Sequence, residues 1–327
     1  MRWLLWRQHR FEMMCIALTL VLCAAFLSLE HLTLASAFAD RSLGQCASSS
    51  SPSCQTSLNA FVNQFGSMNL SIYWMLILPA VLGIFIGAPL VARELESGTF
   101  RFVWVQGVTR TRWFVAKVAA LAVATVVAAA ALSVIISWAL APLIRVEGIL
   151  LMPSLNSLTT PLFDLTGVVL IASSVFALSI GVLAGTLART SVLAMLLTLV
   201  AFAAVAVPLD MYRPHFLQPE TATAAIQGGS NSNLPAVPPG SWVLKMGFVD
   251  AQGRWYDLLS EAAGACLPID SSAAFDRCIS NLGLSTYVEY QPPDRFWHLQ
   301  VAQAATYGGL SLVALMAAWW IVRRRIA

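Results

Sequence analysis

Residues Ile72 to Ala92 read IYWMLILPAVLGIFIGAPLVA, a run without a charged side chain. The hydrocarbon core of a bilayer is ~30 Å thick, and an α-helix needs about 20 apolar residues to cross it. Because unpaired backbone groups are costly in lipid, only helices and closed barrels cross. The run therefore predicts a membrane-spanning helix, in keeping with a chain that is 58% hydrophobic and 11% charged.

Five more apolar runs are long enough to cross a bilayer. The six predicted spans are 13–34, 72–92, 115–140, 165–187, 191–209 and 301–322. Residues 1–12, rich in Trp and Arg, precede the first span, and residues 93–114 and 210–300 are long connections. The chain, 1–327, is therefore predicted to be a single transmembrane domain and an all-α polytopic membrane protein.

The distribution of basic residues predicts the orientation of the six helices. Lys and Arg near the ends of spans are retained on the cytoplasmic side. With the N-terminus inside, the inner segments hold 12 of the 19 Lys and Arg but three of the 16 acids. An N-in/C-in topology follows, with 93–114 in the cytoplasm and 210–300 as a large extracellular loop.

The N-terminus has an alternative interpretation as a cleaved signal peptide. A basic start, an apolar run and the small residues Ala35-Ser36-Ala37 resemble a cleavage site. The apolar run is long, however, and Glu30 and His31 would lie between it and the cut. These features favour a retained span.

Glu30 is the one acid deep enough in a predicted span to raise the question of substrate binding. At 1.5 Å per residue it lies about 26 Å along the helix from Met13, close to the outer interface. Contact with interfacial water is the favoured interpretation, and Glu30 stays the only, weak candidate for a substrate residue.

Four cysteines lie in the segments assigned to the outside. Local pairs in an oxidising compartment are typically bridged, which predicts Cys46–Cys54 and Cys266–Cys278 disulfides. The 210–300 loop is predicted to contain a Pro/Gly-rich linker, a hairpin around Ala251-Gln252-Gly253, and then the second disulfide lobe. A solvated cap without substrate contact is the alternative for this loop.

The chain lacks the motifs of several enzyme classes. A phosphate-binding GxxxxGK[ST] loop needs a lysine after glycine, whereas the two lysines follow Ala116 and Leu244. The four histidines have no HExxH spacing, and no GxSxG is present. The sequence therefore predicts a non-catalytic protein without a metal site.

Two glycine pairs inside the spans predict close helix packing. Gly83-x-x-x-Gly87 and Gly181-x-x-x-Gly185 allow backbones to approach in lipid. Packing against other spans of the same chain is the first expectation, and self-association is the alternative.

The connection after the second span contains several residues that typically start or end helices. It lies within VARELESGTFRFVWVQGVTRTRWFVAK, Val91 to Lys117. Ser97 or Thr99 can cap a short helix over Phe100 to Gln106, which Gly107 can end. Thr109 is then predicted to cap the third span. The helix is expected on the cytoplasmic face, resting on lipid headgroups or docking a soluble partner.

This stretch resembles the cytoplasmic segment of the type-2 permeases of ATP-binding-cassette (ABC) exporters. The matching residues are Glu94, Glu96, Gly98, Thr99, Gly107, Val108, Thr109, Arg110 and Lys117. The departures are Gly107, where Pro is frequent, and Ala116, where Gly often precedes the lysine. LLWRQHR and YQPPDRFWHLQ are similar to segments of such permeases from high-GC actinobacteria, and the resemblance makes residues 1–12 an interfacial elbow.

The resemblance implies a transmembrane subunit that works as a pair in a bacterial plasma membrane. Two copies of a separately encoded ATPase would bind ATP and Mg, so this chain would bind no cofactor and no nucleic acid. The coupling helix would use Glu94, Glu96, Gly98, Thr99, Phe100, Trp104, Gly107 and Arg110. The implied activity is alternating-access export of hydrophobic drugs, antibiotics or lipid-like molecules, as in multidrug efflux and antibiotic resistance.

Two functions of other classes stay open. A membrane sensor or immunity protein would bind a ligand through residues 210–300 without transport. A secondary transporter is less favoured, because ion coupling needs charged residues near the bilayer midplane and the predicted spans lack them.

Overall fold

The computed structural model describes residues 2–48, 51–65, 72–98, 109–147, 156–188, 190–226, 235–257, 266 and 272–324. Its helices are α1 (Arg2–Asp40), α2 (Pro52–Phe65), α3 (Leu78–Leu82), α4 (Ala88–Ser97), α5 (Arg110–Ala139), α6 (Ala141–Glu147), α7 (Leu162–Leu165), α8 (Val169–Ala188), α9 (Ser191–Tyr212), α10 (Ser272–Asn281) and α11 (Phe296–Arg324). Shorter 3₁₀ turns cover Leu43–Ser48, Tyr73–Ile77, Arg213–His215 and Pro293–Arg295, and a π-helical turn covers Gly83–Gly87.

Six helical stretches are long and apolar enough to cross a membrane, so the prediction of six spans is confirmed. Spans 1 to 6 are Arg10–Asp40, Tyr73–Ser97, Thr111–Ala139, Val169–Ala188, Ser191–His215 and Pro293–Arg324. Several helices continue past the end of the apolar run. Span 2, for example, includes Arg93, Glu94 and Glu96, and it ends at Gly98, whose φ of 70° is in the left-handed region typical of a helix C-terminus.

Span 4 is the centre of the bundle. Within the chain, 72% of its most apolar window is buried, compared with 11% for span 1 and 17% for span 5. Its glycines contact span 2 directly: a Cβ added to Gly181 would lie 2.5 Å from the Gly83 oxygen, and one added to Gly185 would lie 2.5 Å from the Ala88 oxygen. The two glycine pairs therefore pack against each other inside one chain, as predicted.

Span 2 is irregular at two places, and a proline explains each. A proline has no N–H to donate to the carbonyl four residues earlier. Pro79 leaves the Met75 carbonyl without its α-helical donor, inside the 3₁₀ turn, where Leu78 donates to it instead. Pro89 does the same for the Phe85 carbonyl, inside the π-helical turn Gly83–Gly87.

The bundle has two chemically different ends. We call the end that carries Arg10, Arg93, Arg112 and Arg323 the basic end. The opposite end carries both disulfides and a small β-sheet, and we call it the sheet end.

The fold class is broader than the all-α prediction, because the connection between spans 5 and 6 contains an antiparallel sheet. Its strands are β1 (Glu220–Ala225), β2 (Trp242–Val249), β3 (Trp255–Asp257) and β4 (Ser285–Gln291), in the order β1-β4-β2-β3. β2 and β3 form a hairpin around Gln252, where the sequence predicts one. In its turn Asp250 accepts the Arg254 and Gln252 N–H groups, and these bonds, the one from Arg254 first, lower the pKa of its carboxyl.

Both predicted disulfides are present. Cys46 and Cys54 join the 3₁₀ turn after α1 to the start of α2, with Cα atoms 5.6 Å apart. Cys266 and Cys278 have Cα atoms 5.8 Å apart, and Cys266 is buried with Phe248 and Ile279. Each bridge closes a short loop at the sheet end.

Candidate functional site

The end of span 2 is joined to span 3 by an ion pair. The Lys117 ammonium donates to a Glu94 carboxylate oxygen, and the two side chains are 4% and 14% exposed. The same ammonium lies 5.0 Å from the centre of the Trp113 ring, a cation–π distance. A lysine this buried needs its partner, because an unpaired charge is costly away from water.

A second acid on the same helix holds span 5. Glu96 Oε2 accepts hydrogen bonds from the Ser191 N–H at 3.0 Å and the Ser191 hydroxyl at 2.9 Å. Ser191 is the first residue of span 5, where N–H groups lack intrahelical partners and a negative charge is favourable. Glu96 is therefore a cap supplied by a neighbouring helix, and the last turns of span 2 join spans 3 and 5.

The structure describes the residues on both sides of the predicted coupling segment, but residues 99–108 lie outside the described ranges. Gly98 ends span 2, and the Thr109 hydroxyl caps the next helix by accepting the Arg112 N–H at 3.3 Å, as predicted. The backbone of Arg110 starts that helix. Thr99, Phe100, Trp104, Gly107 and the predicted helix over Phe100 to Gln106 lie outside the described residues.

A cavity of about 730 Å³ opens beside the ion pair at the basic end, between spans 1, 2 and 3. Its polar lining comprises Glu12, Arg93, Glu94, Ser97 and Lys117. A smaller cavity of about 180 Å³ lies deeper, with a lining dominated by apolar side chains. The volume of the larger cavity is in the range typical of small-molecule sites.

The sheet end holds an ionic cluster around Arg213. Its guanidinium is buried and donates to both Asp164, at 2.6 Å, and Asp210. It also donates to Gln303 Oε1 at 3.2 Å and lies 4.2 Å from the centre of the Phe163 ring. The cluster joins the segment before span 4 to spans 5 and 6.

Sequence reasoning missed the Arg213 cluster. Asp210 and Arg213 are three residues apart at the end of an apolar run, the one local signal that could have pointed to a pair. Asp164 and Gln303 are distant in sequence.

Glu30 lies in the half of span 1 that is nearer the sheet end. It lines an open cavity of about 600 Å³ together with Asp40, Arg41 and Gln64. The ring of the next residue, His31, stacks on Trp138 of span 3, with centroids 4.0 Å apart. These contacts do not indicate that Glu30 binds a substrate.

Within the described ranges, no group of three or more His, Cys, Asp or Glu side chains is placed to hold a metal ion.

Comparison with known proteins gives one result that bears on this geometry. Residues 17–213 match the model of a family described as ABC-2 membrane transporter related. The match covers more than half of the chain, including spans 2 to 4, most of spans 1 and 5, and both acids at the end of span 2. No curated protein and no solved structure matches the chain.

Proposed function

The chain belongs to the ABC-2 membrane transporter related family, and from this membership we propose that it is the transmembrane permease subunit of an ATP-driven exporter. Such a family member is a multi-pass membrane protein, generally non-catalytic, and associates with an ABC ATPase. In the proposed assembly the partner binds ATP and Mg and hydrolyses the nucleotide.

The single observation that best supports the proposal is the double attachment at the end of span 2. Glu94 holds span 3 through Lys117, and Glu96 holds the start of span 5 through Ser191. The predicted coupling helix, over Phe100 to Gln106, follows Gly98 closely in the sequence. A displacement of that helix by an ATPase would therefore pull on three spans at once.

We propose that the basic end faces the cytoplasm of a bacterial cell, in line with the positive-inside rule. The cavity beside Lys117 would then open inward in this conformation. Nucleotide-driven closure of the ATPases would shift a two-state equilibrium toward outward access. Hydrophobic drugs, antibiotics or lipid-like molecules are the proposed cargo, with the roles in drug efflux and resistance that such cargo entails.

The proposed assembly contains two copies of this chain and two of the ATPase. Spans 1 and 5 leave most of their apolar windows uncovered within one chain, so they offer surface to a second copy or to lipid. Oligomeric state is measured by mass in lipid nanodiscs.

The decisive experiment is purification of the tagged chain from its native membrane with identification of soluble partners. An ABC ATPase that co-purifies, and whose ATP hydrolysis is stimulated by the permease, is the expected result. Trp104→Ser on the predicted coupling helix should abolish the stimulation, whereas Trp255→Ser, at an exposed position of the sheet, should leave it intact. Purification without any ATPase would contradict the proposal and favour the sensor alternative.

A further inference from the structure

A cavity of about 250 Å³ lies between spans 2, 4, 5 and 6 at the sheet end, and it shares no lining residue with the cavity beside Lys117. Most of its lining is apolar, and it includes the rings of Phe202 and Tyr307. Val207 and Met211 line it and are also exposed, so the cavity reaches the surface of the bundle beside span 5. A small ligand with a hydrocarbon body therefore fits this space, which is below the volume usual for drug-sized ligands.

The polar wall of this cavity has more acids than bases. Asp164 and Asp210 line it, whereas Arg213, which pairs with both of them, does not. Within the described ranges, Arg213 is the one cation at ion-pair distance from either acid. Two carboxylates against one guanidinium leave one negative charge uncompensated on the side that faces the cavity.

The same wall is short of hydrogen-bond donors. The Thr160 hydroxyl oxygen lies 2.9 Å from Asp164 Oδ2 and 2.6 Å from Asp210 Oδ1, yet its single proton serves one acceptor at a time. Gln303 donates to the other oxygen of Asp164 at 3.1 Å. No described residue donates to the other oxygen of Asp210, whose side chain is 45% exposed. Asp210 therefore has room for a further donor and is accessible to a ligand.

An ammonium group supplies both things that this wall lacks, because it carries a positive charge and has several N–H donors. We propose that the cavity binds a small lipophilic primary ammonium ion. The ammonium donates to Asp210, and the hydrocarbon body lies against Phe202 and Tyr307. The inference rests on the proposed permease function where it makes such a cation a cargo. Binding itself needs no ATPase, so the two proposals can fail separately.

The test measures binding of radiolabelled 2-phenylethylammonium to the full chain in nanodiscs, by scintillation proximity, with empty nanodiscs as the background. The neutral analogue 2-phenylethanol, which keeps the ring and the chain length, is the competitor. It should bind at least tenfold more weakly than the ammonium ion, the effect expected for the loss of one hydrogen bond between charged groups.

Two substitutions test the two halves of the site. Asp210→Asn should weaken binding of the ammonium ion at least tenfold, whereas Asp294→Asn, exposed at the same end of the bundle, is the control and should leave it unchanged. Ala206→Leu should also weaken binding at least tenfold, because the larger side chain fills the cavity. Its matched control is Ala203→Leu, at an exposed position of the same helix. Since Ala206→Leu leaves the charged residues intact, it tests the site even where Asp210→Asn destabilises the fold.

Three results would overturn the inference. Equal affinity for 2-phenylethylammonium and 2-phenylethanol would show that the cavity does not select a cation. Binding that survives both Asp210→Asn and Ala206→Leu would place the amine elsewhere on the chain. Binding that disappears when sodium replaces N-methylglucamine at constant ionic strength would assign the charge to an inorganic cation. Selective amine binding by a chain that co-purifies with no ATPase would support the cavity while the permease proposal fails.

Discussion

Both ends of the bundle cap the start of a span with a side chain from a neighbouring span, but they do so in different ways. At the sheet end the buried Gln300 amide accepts the Val168 and Val169 N–H groups, each at 3.0 Å. It also donates to the Phe163 and Thr166 carbonyls. At the basic end the exposed carboxylate of Glu96 accepts two bonds from one serine.

The ionic contacts at the two ends of the bundle also differ. Arg213 contacts two carboxylates, an amide, a carbonyl and an aromatic ring within the sheet end. Lys117 has its ion pair with Glu94 beside a cavity of about 730 Å³. Regions with few buried contacts open at lower free energy than densely connected ones. From these contacts we expect the sheet end to resist local opening more than the basic end.

Replacing Arg213 should give the largest loss of stability. Arg213→Met leaves Asp164 and Asp210 without their cation, and breaking a buried ion pair costs about 3–5 kcal/mol. We expect the free energy of unfolding to fall by an amount near the upper end of that range, as measured by equilibrium unfolding in mixed micelles. Arg254→Met, which removes an ion pair of an exposed arginine, is the control and should change stability by about 0.5 kcal/mol or less. Equal effects would show that the buried Arg213 cluster adds no more stability than an exposed ion pair.

Removing Lys117 should lower the free energy of unfolding by less, about 3 kcal/mol, because Lys117 pairs with one carboxylate whereas Arg213 pairs with two. The double variant Glu94→Gln/Lys117→Met removes both charges of the pair, so it should recover most of the loss. The same unfolding assay gives the coupling energy of this double-mutant cycle. Additive effects of the two substitutions would show that the pair contributes nothing as a pair.

A methyl group added between spans 2 and 4 should lower the free energy of unfolding by about 2 kcal/mol, as expected for overpacking. In Gly181→Ala the new Cβ would lie 2.5 Å from the Gly83 oxygen, so the helices must separate. Gly308→Ala is the matched control, because no atom lies within 4 Å of its added Cβ. Unfolding midpoints of the two variants are compared, and a neutral Gly181→Ala would contradict the close contact.

Glu96→Gln should have the smallest effect on stability. The glutamine keeps an acceptor for Ser191 and loses only the negative charge at the start of span 5. The unfolding midpoint is measured at low and high salt, and the difference from wild type should shrink as salt screens the charge. Asp257→Asn, exposed on the sheet, controls for a change in net charge. A difference that grows with salt would count against the capping role.

Much of the fold is predictable because it depends on local sequence. Hydropathy identifies the spans, short cysteine spacings identify the disulfides, and the hydroxyl of Thr109 caps span 3 as predicted. The Arg213 cluster is not predictable in this way, since it joins residues near 164, 210 and 303 that only the folded bundle brings together. The exact ends of the spans are also missed, because hydropathy falls where charges begin whereas the helix ends at Gly98.

For the candidate site, the sequence identified Glu94 and Glu96 but not their partners. Lys117 and Ser191 are 23 and 95 residues away from them, and only the packing of spans 2, 3 and 5 sets those pairs. The role of the segment between Gly98 and Thr109 stays a prediction that rests on resemblance.

The π-helical turn at Gly83–Gly87 sets the direction in which both acids point. Such a turn accommodates an extra residue in an α-helix, and each residue of an α-helix advances it by about 100°. Deleting one residue from Ile84 to Ile86 would rotate the Ala88–Ser97 half by about that angle. Glu94 and Glu96 would then face away from Lys117 and Ser191 with their chemistry unchanged. The rotational phase of span 2, rather than the identity of its acids alone, decides which helices its end can hold.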